Sequence, residues 1–156
     1  MVSFRGPIGK FEYMGNGRAT VSGHEKYIKN FRMICAGSGI TPIYQVLRAV
    51  LEDPKDPTGC VVLDGNRTEE DILCREELDR YAKDYAGRVK IIHTLSKPGE
   101  AWGGRKGRID AELVGDCTPD DRAGVMWLIC GPEVMQNDVL RILTEKGWTE
   151  DDMVFF

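Results

Sequence analysis

Histidine is scarce in this sequence: His24 and His93 stand far apart, and the five cysteines (Cys35, Cys60, Cys74, Cys117, Cys130) include no Cys-x-x-Cys pair. That scarcity argues against a zinc ligand set, haem attachment or a paired disulfide framework, and it suits reduced thiols in a reducing compartment. No apolar run approaches the ~20 residues that a membrane-spanning helix requires. Met1 to Lys10 lack the apolar core of a signal peptide. Excess charge of one sign is also missing. With 21 basic against 25 acidic residues the net charge is -4, which gives no general attraction to nucleic acid or to an anionic membrane surface. Repeats and low-complexity tracts are absent. The expectation from these absences is a cytoplasmic protein with no bound metal, no nucleic-acid partner and no membrane partner.

What is present is enough apolar material, 42% of 156 residues, for one principal core. It comes as short apolar runs alternating with amphipathic stretches. The runs are Phe31 to Ala36, Cys60 to Leu63, Val89 to Thr94, Val125 to Cys130 and Val154 to Phe156. Between the first two, Ile43, Val46, Leu47, Val50 and Leu51 fall at helical spacing, with Thr41 expected as N-cap and Pro42 in the first turn. Further helices are expected over Glu69 to Lys83, Ile109 to Val114, and Glu133 to Lys146, the last closing before Gly147. Strand and helix in alternation specify an α/β fold: a doubly wound, five-stranded parallel sheet with helices on both faces and ligands outside the strands' C-terminal ends. The first thirty residues differ. Glycines and a proline punctuate short alternating pieces such as Lys10 to Tyr13 and Arg18 to Val21, which read as antiparallel hairpin material. Residues 1–29 are therefore expected to be the end of another domain plus a hairpin linker, and 30–156 the ligand-binding domain.

Three loops carry candidate chemistry. Ala36-Gly37-Ser38-Gly39-Ile40-Thr41-Pro42 leaves a buried strand, turns on two glycines and enters the best helix. Glycines let the backbone approach a pyrophosphate, and a helix N-terminus receives its charge; a tight structural turn is the alternative. Pro42 stands where the Rossmann fingerprint has its third glycine, which disfavours a dehydrogenase of that type. After the second run, Asp64, Asn66, Arg67 and Asp71 occupy the position of an adenosine ribose. Asp71 either accepts from the ribose hydroxyls or closes a capping box with Thr68. Arg67 and the group Arg105, Lys106 and Arg108 favour instead a 2′-phosphate. At the fourth run, Cys130-Gly131-Pro132-Glu133-Val134-Met135 repeats the strand-turn-helix joint, and Cys130 either packs in the core or holds a nicotinamide ring. Neither histidine is placed to activate it as a nucleophile.

Taken together and in order, these loops resemble those of the ferredoxin-NADP-reductase-like flavoproteins, in the branch that holds cytochrome b5 reductase and the nitrate reductases, most closely the fungal type. Phe4 to Tyr13 resembles the end of the flavin domain and its hairpin linker, Ala36 to Pro42 the dinucleotide loop, Asn66 to Leu73 the adenosine-side motif, Cys130 to Pro132 the nicotinamide-side motif, and Val154 to Phe156 the aromatic C-terminus. The resemblance implies NADH or NADPH as coenzyme and FAD as its electron acceptor. It also implies a b5-type haem domain and a molybdenum centre further along a homodimeric parent. Under it, Thr41, Pro42 and Phe156 lie near the flavin, Cys130 is the catalytic-site thiol that places the nicotinamide, and Asp71 favours NADH. Glu133 and Met135 belong to the same coenzyme set. The family's flavin-binding motif, Arg-x-Tyr-Ser/Thr, is absent from the sequence, so a fragment that binds the dinucleotide without holding FAD firmly is expected. The alternatives are part of a cytochrome b5 reductase-like diaphorase, or a nucleotide-binding module without redox chemistry.

Overall fold

The computed structural model describes residues 11–156. The segment Phe4 to Gly9, read above as the end of a flavin domain, lies outside the described residues, as does Lys10. The chain opens with β1 (Phe11–Gly15), β2 (Arg18–Val21) and β3 (His24–Tyr27), which form a three-stranded antiparallel sheet. The hairpin thus gains a third strand that sequence pattern does not mark. His24-Glu25-Lys26-Tyr27 has no alternation of apolar and polar residues because little of it is buried.

The rest of the chain runs β4 (Asn30–Ala36), α1 (Ile40–Leu51), β5 (Gly59–Asn66), α2 (Arg75–Asp84), β6 (Val89–Leu95), β7 (Arg105–Lys106), α3 (Ala111–Asp116), β8 (Val125–Cys130), α4 (Glu133–Glu145) and β9 (Met153–Phe155). The six strands β4 to β9 make one parallel sheet in the order β7-β6-β5-β4-β8-β9. All five expected strands are in it. The sixth, β7, corrects the expected count. It is two residues long and basic, paired to Thr94 and Leu95, and carries no hydrophobic signal.

Two apolar layers cover the sheet. On one face Ile43, Leu47 and Leu51 of α1 and Leu78 and Tyr81 of α2 pack with Phe31, Met33 and Leu128. The three-stranded sheet joins this layer through Phe11 and Tyr13, whose rings meet Phe31 edge-on at 6.2 and 5.5 Å. On the other face Leu113 of α3 and Val139, Ile142 and Leu143 of α4 pack against Ile34, Trp127 and Ile129. Each helix offers a single apolar stripe, so the central strands β4 and β8 are largely buried on both sides and read as nearly continuous apolar runs.

Helix boundaries moved for local reasons. α1 begins at Ile40, continuing a 3-10 turn over Gly37–Gly39, so Gly39 and not Thr41 is the N-cap. The expected helix over Glu69 to Lys83 is broken. A 3-10 turn spans Glu69–Asp71, and Cys74 adopts a left-handed conformation (φ 56°) before α2 starts. Asp110 caps α3 by accepting from the Leu113 N–H at 2.9 Å, and α3 consequently starts after it.

Candidate functional site

In the strand order above, the chain leaves β4 toward β5 on one side and meets β8 on the other, so β4 is the switch point where the crossovers diverge and open a crevice at the C-terminal ends of the strands. The expected phosphate loop sits there. Gly37 has φ +56°, a conformation that suits glycine, and open space where a side chain would be. Gly39 is required for another reason: a Cβ there would lie 2.2 Å from the carbonyl oxygen of Cys130. The phosphate loop is therefore pressed against the loop that leaves β8. Neither Gly39 at the start of α1 nor Pro132 at the start of α4 contributes a side-chain cap. These helix N-termini differ from that of α3, whose first turn is satisfied by Asp110. Uncapped N–H groups with a positive dipole end are suited to an anion.

A cleft of about 1060 Å³ runs from this loop across the ends of β5 and β6. Of the residues expected at a coenzyme, Gly37, Ser38, Asn66, Arg67, Asp71, Pro132 and Met135 line it. Gly39 and Ile40 are buried beneath it, while Thr41 and Pro42 lie on the first turn of α1 outside its lining. Glu133 is exposed on the first turn of α4. Gly131 is held close by Met135, whose Cε would be 2.3 Å from an added Cβ. Phe156 packs its ring edge-on to Phe11 at 5.9 Å. Its carbonyl shares the Gln136 side-chain amide with the carbonyl of Gly131, both at 2.9 Å. Gln136, which sequence reasoning passed over, thus ties the C-terminus to the turn after β8.

Asp71 does close the capping box. Its Oδ2 accepts from the Thr68 N–H at 3.1 Å and the Thr68 hydroxyl at 2.9 Å, and the residue remains exposed on the cleft wall. Both roles weighed for it are compatible, because the cap engages one carboxylate oxygen. Asp64 departs from expectation. It is 1% exposed and lines nothing; its carboxylate is taken up by His93 Nδ1 at 3.0 Å and by the Cys35 thiol at 3.6 Å. A direct coenzyme contact is sterically closed to it.

Cys130 and Cys35 are register partners on adjacent strands. Cys35 is fully buried, and burial together with the neighbouring Asp64 carboxylate pushes its thiol well above the ordinary range. Cys130 is half-buried, and burial raises its thiol too, so neither is an activated nucleophile. Cys60 is a buried packing residue. Cys74 is only partly buried, at the left-handed turn before α2.

The basic group separates into two kinds. Arg105 is immobilised, donating to Thr94 Oγ1 at 2.8 Å, the Arg108 carbonyl at 2.9 Å and Asp110 Oδ1 at 2.9 Å, and Lys106 lies off the cleft. Arg67 and Arg108 line the cleft together with Ser96 and Lys97, which were not anticipated. Among the described residues Arg67, Lys97 and Arg108 have no ion-pair partner. Their loops are stitched together by the Lys97 N–H to the Arg67 carbonyl, and the Gly107 N–H to the Leu95 carbonyl, both at 2.8 Å. The signal that would have found Lys97 is register, since it lies just past the end of β6, directly beside the β5 loop.

A doubly wound sheet with a glycine-lined helix entrance at its switch point defines a dinucleotide-binding domain. The chain belongs to the oxidoreductase NAD-binding domain family, whose model matches residues 33–141. Over 99% of its length it is 53% identical to the NADPH nitrate reductase of Aspergillus niger, and over 86% it is 45% identical to the NADH nitrate reductase of Spinacia oleracea. The chain spans 18% and 15% of those two proteins. The crystal structure of the cytochrome b5 reductase domain of Ulva prolifera nitrate reductase superposes with a TM-score of 0.89 at 35% identity, covering 97% of this chain and 58% of that one. No helix among the described residues is long and apolar enough to cross a membrane, and none of their His, Cys, Asp and Glu side chains cluster as a metal site.

Proposed function

We propose that this chain holds NADH or NADPH for a nitrate reductase and presents the nicotinamide to a flavin carried by an adjoining domain. The observation that carries the reading is the contact between Gly39 and the Cys130 carbonyl, which makes the phosphate loop and the nicotinamide-side loop one continuous surface. In this reading the pyrophosphate lies against Gly37 to Gly39 and the N-terminus of α1, the adenosine ribose lies near Asn66, Arg67 and Asp71, and Cys130, Gly131 and Pro132 border the nicotinamide. The coenzyme supplies the hydride; the chain's residues orient it and exclude water. Residues 1–29 are read as the end of the flavin domain and its linker, supported by the separate strand order of the three-stranded sheet. FAD, the b5-type haem and the molybdenum centre belong to the rest of a parent enzyme, which we read as a cytoplasmic homodimer.

Coenzyme choice rests on opposed features of one wall. Asp71 and Glu70 favour the free ribose of NADH, while Arg67, Lys97 and Arg108, without ion-pair partners among the described residues, favour the 2′-phosphate of NADPH. Calorimetric titration of the chain with each coenzyme, in wild type and Asp71→Ser, tests the assignment. The expected result is binding of both, with the substitution shifting the ratio toward NADPH. Binding of neither coenzyme would sink the reading.

A further inference from the structure

At its adenosine end the cleft is bounded by two loops. One follows β5 and carries Thr68, Glu70, Asp71 and Leu73; the other follows β6 and carries Ser96 and Lys97. Backbone hydrogen bonds join the loops at their base, from the Ser96 N–H to the Asn66 carbonyl at 3.0 Å and from the Lys97 N–H to the Arg67 carbonyl at 2.8 Å. Past Lys97 the second loop runs Pro98-Gly99-Glu100-Ala101-Trp102-Gly103-Gly104 with no helix or strand before β7. A glycine-rich stretch of this kind has no preferred course of its own, so its shape is set by what it touches.

Trp102 supplies that contact. Its indole N–H donates to the Arg105 carbonyl at 2.9 Å, and its ring lies against Gly104, where a Cβ would come within 2.6 Å of it. The Arg75 guanidinium lies over the same ring, its Cζ 5.8 Å from the centroid. Arg75 belongs to the other loop: it is the first residue of α2, directly after the left-handed Cys74. Its Nη1 donates to Glu69 Oε2 and its Nε to Asp79 Oδ2, both at 3.2 Å. Glu69 opens the 3-10 turn that ends in Asp71. One planar group thus holds the turn that carries Asp71 and the loop that carries Lys97. Exposed ion pairs and cation–π contacts are individually weak. What the guanidinium adds is geometry, because a lysine ammonium has no edge and face with which to hold two partners at a fixed angle.

We propose that Arg75 is a positioning residue for the adenosine half of the coenzyme: through Glu69 and Trp102 it sets the spacing of the two loops before the ligand arrives. This rests on the dinucleotide reading above and deepens it. Neither Arg75 nor Trp102 lines the cleft, so their influence on the ligand runs through the loops. Loops fixed in advance need not be ordered on binding, and a ligand seated between them leaves more slowly.

The test is titration of the chain with NAD⁺ and, in parallel, with 5′-AMP, which has the adenosine half alone, together with the dissociation rate of each. Arg75→Met and Trp102→Leu are each expected to weaken both ligands by roughly three- to tenfold, mostly through faster dissociation. The double variant is expected to bind no worse than the weaker single one, since both substitutions break the same contact. Arg75→Lys keeps the charge and is expected to recover less than half of the loss. Arg141→Met removes a similarly exposed ion pair with Glu145 on α4 and keeps wild-type affinity. Unchanged affinity in Arg75→Met, weakened NAD⁺ with unchanged 5′-AMP, losses that multiply in the double variant, or full recovery by lysine overturns the inference and leaves the dinucleotide reading in place. Wild type that binds neither NAD⁺ nor 5′-AMP overturns the dinucleotide reading and this inference with it.

Discussion

Asp56 and Asp64 bracket β5, one before its first residue and one near its last, and both are buried, to 2% and 1% exposure. Their surroundings are opposite. Asp56 is held by fixed donors: the Tyr13 hydroxyl, the Asn16 N–H at 3.2 Å and the Thr58 N–H at 2.9 Å. Tyr13 in turn accepts from the Gly17 N–H at 2.9 Å within its own hairpin, so the bond from its hydroxyl to Asp56 fastens the three-stranded sheet to the segment that leads into β5. Burial and Asp56 both push the Tyr13 phenol upward, so it remains a donor at any ordinary pH. Asp64 has instead a histidine ring nitrogen and a thiol, the latter a weak donor. The closed end of the sheet is an anchor of backbone and hydroxyl donors around one carboxylate, and the open end a carboxylate held by one ring nitrogen and one thiol.

The contrast can be broken by substitution, beginning with the open end. Gly39→Ala drives a methyl group into the Cys130 carbonyl, and separating the two loops should lower dinucleotide affinity by at least about tenfold and stability by about 1–3 kcal/mol. Unchanged calorimetric affinity would show that the two loops need not touch. At the closed end, Asp56→Ala strands the donors of Tyr13, Asn16 and Thr58, and urea unfolding should register a loss of about 2–3 kcal/mol while NAD⁺ affinity stays at the wild-type value. A parallel loss of affinity would mean that the ends are not independent.

A smaller effect is expected from Asp110→Ala, which removes the α3 cap and should cost about 1 kcal/mol. The Leu113 N–H, and then Arg105, hold the Asp110 carboxyl below its usual range. Its contribution is therefore present at neutral pH and lost on acidification below the normal aspartate value of about 3.9. Wild type and variant should converge in thermal stability there, and a constant gap would assign the effect to packing. Finally, iodoacetamide should leave Cys35 and Cys60 unmodified in the folded chain, since burial pushes the Cys60 thiol up to about 12 and Cys35 well above its usual value. Cys130 should react slowly, and more slowly with NAD⁺ present. Equal labelling of Cys35 and Cys130 would argue that the floor of the cleft is open.

What could be read from sequence was whatever repeats along the chain. The strands β4, β5, β6, β8 and β9 announce themselves because both faces are covered, and α1 and α4 because their apolar stripes are regular. Features set by tertiary pairing left no such mark. β7 exists because Arg105 and Lys106 meet Thr94 and Leu95, and the break before α2 is a backbone choice at Cys74. Part of the cleft was legible in Gly37, Asn66, Arg67 and Pro132, since each stands at or just past a strand end. The burial of Asp64 was not. A carboxylate just before a glycine turn looks like a ligand contact until the neighbouring strand shows a histidine at the same height.

The position of β4 also governs how the chain must assemble. Its one edge zips to β5, which follows after a single helix, but its other edge waits for β8, near the end of the sequence. During synthesis the apolar edge Phe31 to Cys35 stays unpaired until β8 has emerged, a template for mispairing with other chains. The seam that becomes the binding crevice is thus among the last to close. A chain ending before Val125 would leave that edge of β4 without its β8 partner.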